Sequence, residues 1–509
     1  MRVTNSMITN SSQQHITNAK NLFLKYQTQY ASQKKIQRPS DDPTIAVRAL
    51  QLRTTYTQIR QYASKNVSDA MDWMDSTETA LKNANTTLKN MKGYLNQGAN
   101  DYLESDQRNS VLSVLQEYVS SIFEDEANTD YSGRYVFSGY RTDTSLIFPT
   151  DTDNLEYKIS ESFSSKAIDT IKYVTSNVGY VAGNGITDYS DQLASQDTAY
   201  RLQLSYRNCS NSAITGDNTV FNITTSYKNA AGTTVTDTLS SAVVSSDDPN
   251  AYDVDAYNKA NGTNFDTIYL YDTGTVIFGA QAYSDVQMNN ATILVDYTKK
   301  EFEKSDIRPE MYFGCTSYNT STGRTINYSA PDKQDIRYEV NFSQTAVVNT
   351  QAKDAFDPQI YRAINHIEEC VQAMDELEQK MSDVDKQIAN SADEDEIAAL
   401  KELQSRFEAE KKLRTEVMTE AFTKGLSMVS FTQDKLNVAL ADLGSRYNRL
   451  ELTEDKLDDQ STNTEEKLSD NEDVDLTDAY INMTQADNLY QASLSATVKI
   501  LGTSLLNYI

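Results

Sequence analysis

Two histidines and three cysteines are the whole stock of imidazole and thiol in this 509-residue chain. None is spaced for catalysis. His15 lies inside a helical segment and His366 sits beside Ile367 on a later apolar stripe; neither has a serine, cysteine or carboxylate arrangement in reach by sequence that would pair a nucleophile with a base. Cys209, Cys315 and Cys370 are an odd number without metal-ligand spacing, too few for a disulfide scaffold. Cys370, next to Val371 in a helical repeat, reads as a small buried hydrophobe. Asp151-Thr152-Asp153-Asn154 opens like a calcium loop but carries Glu156 where the sixth position needs glycine. The run Asp393-Glu394-Asp395-Glu396 reads as a solvated helix start favoured by the helix dipole, not as a metal site. Asn222-Ile223-Thr224 fits a glycosylation acceptor, a pattern common by chance in so threonine-rich a chain. The expectation is a protein that is not an enzyme and holds no cofactor or metal.

The remaining chemistry is that of surfaces made to meet other helices. Leu476, Ala479, Met483, Ala486, Tyr490, Leu494, Val498, Leu501 and Leu505 recur at steps of three and four, the stripe of an amphipathic helix. Such a helix is marginal alone in water and must pack its apolar face on something. Ile16, Ala19, Phe23, Tyr26 and Tyr30 offer a matching face near the other end of the chain. Residues 1–60 carry nine Lys or Arg against Asp41 and Asp42, whereas 464–509 carry eight Asp or Glu against two Lys. Opposite charge orients such a pair more than it stabilises it.

Composition narrows the partners. The formal net charge of −27 argues against nucleic acid, which needs a basic surface. Mean hydropathy is −0.59 and no run approaches a membrane span. The first residues, Met1-Arg2-Val3-Thr4-Asn5-Ser6, lack an apolar signal region, so work outside the cell would require another export route. Thirty-two tyrosines suit exposed strands and half-wet interfaces.

In chain order, a helix is expected from Met7 to about Gln37, then the turn Arg38-Pro39-Ser40-Asp41-Asp42-Pro43. Pro43 disfavours helix at Asp42, whose carboxylate can cap the next helix as a hinge or an ordinary cap. From Leu52 through Trp73 to Leu95 the stripe runs for six heptads until Gly98. A second helix from about Ser105 to Asn128 should fold back on it. Gly133 to Tyr140 reads as a strand or hairpin, and from about Pro149 to Gln351 short β-type runs are split by turn residues. Helical stripes resume at Ile360 and continue through Leu457, followed by an acidic linker from Thr453 to Asp473. The fold class is therefore mainly α with a β insertion (α+β): an elongated rod of long coiled-coil-like helices from both ends, with one or two β-rich domains inserted in the middle. The divisions are 1–42 (assembly helix, pairing with 465–509), 43–148 and 355–464 (helical rod), 149–354 (outer β-rich insertion) and 465–509 (second assembly helix).

Several segments resemble a known family. Ser32-Gln33-Lys34-Lys35-Ile36-Gln37-Arg38-Pro39-Ser40-Asp41-Asp42-Pro43 with Ala46-Val47-Arg48-Ala49-Leu50, then Gly133-Arg134-Tyr135-Val136-Phe137-Ser138-Gly139, Leu443 to Glu451, Tyr490-Gln491-Ala492-Ser493-Leu494 and Ser504 to Ile509 are similar to the bacterial flagellin superfamily in its hook-filament junction branch. The likeness covers about 1–148 and 355–509. It implies an extracellular flagellar subunit exported unfolded by a type III apparatus, with an export chaperone binding near the C-terminus. It also implies a ring of about eleven copies between another hook-associated protein and flagellin. Gln33 stands where the family often has glycine. Filament flagellins carry Ala-Ala-Gly after the paired aspartates and end in an arginine after two leucines; Pro43-Thr44-Ile45 and Asn507-Tyr508-Ile509 stand here and favour the junction branch. A coiled-coil signalling or adhesion protein is the alternative of another class, and its receptor form would need a membrane span.

Overall fold

A computed structural model describes residues 6–100, 103, 105–180, 189–229 and 232–499 in full, and the backbone alone of residues 5 and 500–506. The chain begins with helices α1 (Asn5–Ser32), α2 (Pro43–Gln61), α3 (Ser68–Gly98) and α4 (Ser105–Ser121). One π-helical segment, Tyr62–Val67, joins α2 to α3, and another, Ile122–Glu126, continues α4. Strands β1 (Asp130–Tyr131), β2 (Arg134–Tyr135), β3 (Leu155–Ser164), β4 (Asp169–Ser176), β5 (Ala194–Gln203), β6 (Phe221–Lys228), β7 (Thr234–Leu239) and β8 (Ser241–Val244) follow. Then come α5 (Val254–Asn261), β9 (Thr267–Leu270), β10 (Thr275–Phe278), α6 (Ala280–Met288), β11 (Thr292–Lys299), β12 (Gly314–Asn319) and β13 (Arg324–Tyr328). The hairpin β14 (Arg337–Asn341) and β15 (Gln344–Val347) precedes α7 (Ala352–Ala355), α8 (Gln359–Asn390), α9 (Glu394–Glu472) and α10 (Leu476–Leu506). These elements form two units: 1–71 with 337–346 and 447–509, and 72–336 with 347–446.

In the second unit the heptad stripe of α3 is the core. Trp73, Leu81, Leu88, Met91 and Leu95 are fully buried, as are Ile360, Ile367 and Val371 of α8 and Leu403 and Phe422 of α9. Each such side chain contributes about 1.5–3 kcal/mol. Gly98 ends α3 where the Phe422 ring leaves no room for a Cβ. Tyr94 meets Tyr118 and Asn83 meets Glu126, the pairing of an antiparallel α3–α4 hairpin. Of the strand or hairpin expected over 133–140, a hairpin forms, but as a two-residue ladder of β1 and β2 whose first arm lies before Gly133. Ser132 and Gly133 both hold positive φ, as a tight hairpin turn requires, and the Arg134 guanidinium lies 5.0 Å from the Trp73 ring centroid. Val136 and Phe137 then leave the ladder to be buried, with Phe137 edge-on to Phe356 at 5.0 Å.

The β-rich part contains an antiparallel sheet ordered β13-β12-β3-β11-β6-β7 and a second ordered β4-β5-β10-β9-β8, in which β8 and β9 run parallel. Ile159, Ile223, Ile293, Val295 and Tyr297 alternate inward along the first sheet and share a core with Tyr269 and Val276 of the second. These sheets dock on the helices of their own unit. Ser176 bonds Glu410 at 2.6 Å, Arg207 pairs with Glu368 at 3.0 Å, and the buried Arg362 of α8 donates to the Thr273 carbonyl.

Three expectations change. α1 stops at Ser32 rather than near Gln37, because the chain turns to bond a distant segment. The acidic stretch from Thr453 to Glu472 is helix, the last turns of α9, not a linker: Thr453 and Leu457 are buried and Thr464 and Leu468 half-buried, so polar residues continue the stripe. The β14–β15 hairpin does not group with the rest of the insertion but falls in the first unit. There Asn66 donates to the Glu339 carbonyl at 2.7 Å and Phe342 meets the Tyr62 ring edge at 5.4 Å.

Candidate assembly interface

α1 and α10 pack on each other within the first unit. On α1 the shielded positions are Ser12 and Ala19, buried, with Ile16, Phe23 and Tyr26 half-buried. On α10 they are Ala479 and Ala486, buried, with Met483 and Tyr490 half-buried. Alanine and serine at the seam let the two backbones approach closely, while the longer side chains close its edges. Tyr30 remains largely exposed yet meets Tyr480 with ring centroids 5.9 Å apart.

Leu494 and Val498 do not lie on this seam. They are 39% and 69% exposed, and the half-buried positions after Tyr490 are Ser493 and Thr497. Successive steps of four from Tyr490 outrun the 3.5-residue repeat of a two-helix seam and carry the apolar stripe around to the outer side. The side chains of Leu501 and Leu505 lie outside the described residues. Met7, Leu22 and Leu24 on α1 and Ile481 and Leu489 on α10 are also exposed. The helix pair therefore leaves several large apolar side chains uncovered.

The turns that lead out of the pair are bonded to each other. α1 ends at Gln33, which holds φ +60°, the left-handed conformation in which helices commonly stop. Lys34 then pairs antiparallel with Asp473: Lys35 N–H donates to the Glu472 carbonyl at 2.7 Å and Val474 N–H to the Gln33 carbonyl at 3.0 Å. The Lys34 ammonium reaches Glu472 at 2.7 Å and also Asp473, and Arg53 of α2 reaches the other oxygen of Glu472 at 2.6 Å. Asn471 Nδ2 donates to the Ile45 carbonyl at 3.0 Å.

The Arg38–Pro43 turn is ordered by its aspartates. Asp41 accepts the backbone N–H groups of Arg38 at 2.9 Å and Gln37 at 3.0 Å, which hold its carboxyl below the usual range. Asp42 has extended φ and ψ and accepts from Thr44 N–H at 2.9 Å and Ile45 N–H at 3.2 Å, with Pro43 in the first turn of α2. Asp475 accepts from Thr477 N–H at 2.7 Å and Asp478 N–H at 3.3 Å at the start of α10. Gln33 and Lys34 entered the sequence reading only as part of the family motif, and their partners Arg53 and Glu472 escaped it. Only the family's usual glycine at position 33 signalled the turn.

Elsewhere, His15 is exposed beside Ser11, whereas His366 is half-buried and does have a carboxylate neighbour missed by the sequence reading, Glu369 at 3.4 Å. Burial pushes the His366 imidazole down. Cys209 and Cys315 are buried; burial raises both thiols and pushes Cys370 up to about 12. Asp151 accepts the Lys304 N–H at 2.7 Å, and Asn222 lies in β6 opposite Asp296 of β11. Among the described residues no group of three or more His, Cys, Asp or Glu could hold a metal ion, and no helix is long and apolar enough to cross a membrane.

Residues 3–142 match the bacterial flagellin N-terminal helical region, and residues 426–509 match the bacterial flagellin C-terminal helical region. Both ends of the chain are thus similar to bacterial flagellins. Flagellar hook-associated protein 3 of Escherichia coli (strain K12) is 29% identical over 150 residues, 28% of this chain and 45% of that protein. Its namesake in Salmonella typhimurium (strain LT2) is 27% identical over 188 residues, 37% of this chain and 58% of that one. The chain thus spans about half the length of the curated relatives it matches. A solved flagellar hook-associated protein 3 from Legionella pneumophila is 13% identical, covering 82% of this chain and 98% of that chain with a TM-score of 0.30. The two flagellin regions include both α1 and α10, so the matched ends are the helices that pack together.

Proposed function

We propose that the protein is a structural subunit of the bacterial flagellum, joining hook to filament through its paired terminal helices. The observation that carries this reading is the α1–α10 pair: both helices fall in matched flagellin regions, and their outer surface exposes Leu22, Leu24, Ile481, Leu489, Leu494 and Val498. Apolar residues left uncovered within one chain are available to neighbouring copies. The curated relatives named flagellar hook-associated protein 3 favour the junction over the filament body. On this reading the neighbours are further copies in a ring of about eleven, another hook-associated protein on the hook side and flagellin on the other. An export chaperone engages the chain near α10, and the protein works outside the cell. In this role the chain does no catalysis: Ile16, Ala19, Phe23, Tyr26, Tyr30, Met483 and Tyr490 serve assembly by forming the pair, Leu494, Val498, Leu501 and Leu505 serve contacts beyond it, and Arg38, Asp41, Asp42 and Pro43 act as the hinge.

Electron microscopy of flagella carrying a labelled copy tests the assignment. One band at the hook-filament boundary is the expected result. Label along the whole filament would favour a flagellin, and absence from the flagellum would reject the proposal.

A further inference from the structure

We propose that Glu472 is the pin of an ion-paired latch that fixes the α1–α10 helix pair to α2 and the end of α9, and that strong acid opens this latch before the helices melt. The residues that form it belong to the first unit, so the inference concerns the single chain and stands independently of any flagellar role.

The geometry concentrates three elements on one carboxylate. Glu472 is nearly buried and receives Lys34 from the α1–α2 turn on one oxygen and Arg53 from α2 on the other. Behind it, the backbone bridge between Lys34 and Asp473 closes with the Lys35 and Val474 amides. A two-residue bridge is too short to hold on backbone bonds alone, since an isolated two-stranded ribbon is at best marginal in water. Charge-assisted bonds from a shielded carboxylate supply the missing hold.

Glu465, Glu466 and Asp470 of α9 line the same cavity as Lys34, Glu472 and Asp473, so the cluster faces further carboxylates. Lys35 reaches the Asp470 carbonyl, Ser469 donates to Asp473 at 2.7 Å, and Tyr56 of α2 donates to Glu465 of α9 at 3.3 Å. Asp475 is engaged in starting α10. The signs agree. Burial alone would raise the Glu472 carboxyl, but the bonds from Lys34 and Arg53 override it and leave it low. Lys34 likewise lowers Asp473, and the two carboxylates raise Lys34 above the usual lysine range. Depressed carboxyls stabilise above their unfolded values, near pH 4, and that contribution is lost as pH falls through the folded ones; the raised lysine contributes until pH climbs past the ordinary lysine range. The latch is therefore closed at neutral pH and opens on the acid side.

Amide hydrogen exchange on the intact chain tests this. In Glu472→Gln and Lys34→Met, the Lys35 and Val474 amides should exchange roughly tenfold faster or more, while amides along α1 and α10 keep their protection. The wild-type chain should show the same local loss below about pH 4. Lys34→Arg, which keeps a cation facing Glu472 and Asp473, should retain most of the protection. Unchanged exchange at the two amides would overturn the proposal. So would loss spread along α1 and α10, which would make the cluster part of the pair's own folding.

Discussion

Gln33 is a side chain held where glycine sits at little cost. Its φ of +60° lies in the left-handed region, and a residue with a Cβ there costs roughly 1 kcal/mol more than glycine. Gln33→Gly should therefore stabilise the first unit by about that amount, offset in part by the entropy glycine adds to the unfolded chain. Thermal unfolding monitored at helical wavelengths checks it, and a lowered midpoint would show that the glutamine side chain contributes more than its strain costs. Asp42→Ala should act in the opposite sense, costing about 1 kcal/mol as two N–H groups of α2 lose their acceptor. An aspartate before a proline is a local signal, and α2 starts there. The Gln33 turn was only half legible: glycine was known to be usual at that position, but the partner that requires the turn, Asp473, lies 440 residues away and no local pattern points to it.

Among the elements, α10 shows what periodicity conveys and what it hides. Counting apolar residues located the helix and half of its inner face, then followed Leu494 and Val498 onto the wrong side, because Ser493 and Thr497 continue the seam with no hydrophobic mark. The same blindness turned the end of α9 into a linker on paper. Two substitutions separate the faces. Ala486→Asp places a charge on the buried seam and should cost several kcal/mol, seen as loss of exchange protection in both α1 and α10. Leu494→Asp lies on the outer side and should leave the monomer's melt within about 0.5 kcal/mol while abolishing self-association in sedimentation. Self-association that survived Leu494→Asp would place the contact between copies elsewhere.

At the scale of the whole molecule, the change of texture between Pro149 and Gln351 was legible as β structure because β-branched and aromatic runs alternate there between turn residues. The docking of that structure on α8 and α9 was not, since it runs through single polar contacts such as Ser176 with Glu410. The consequence can be measured. Replacing 149–336 by a short linker, with the β14–β15 hairpin kept, should preserve exchange protection in α1 and α10. It also removes the Thr273 carbonyl that the buried Arg362 guanidinium bonds. The deleted residues also cover Arg362, so Arg362→Leu should lower stability in the full chain and have little effect in the shortened one, where the guanidinium meets water. A fall in both would mean that Arg362 matters for its packing rather than its charge.

The three thiols, two buried and Cys370 partly so, are all shifted toward the protonated form and should react slowly with thiol reagents. A single cysteine introduced at an exposed position such as Leu489 would then be the only fast-reacting one, so a maleimide dye or a spin label could report on α10 without first stripping the protein of Cys209, Cys315 and Cys370.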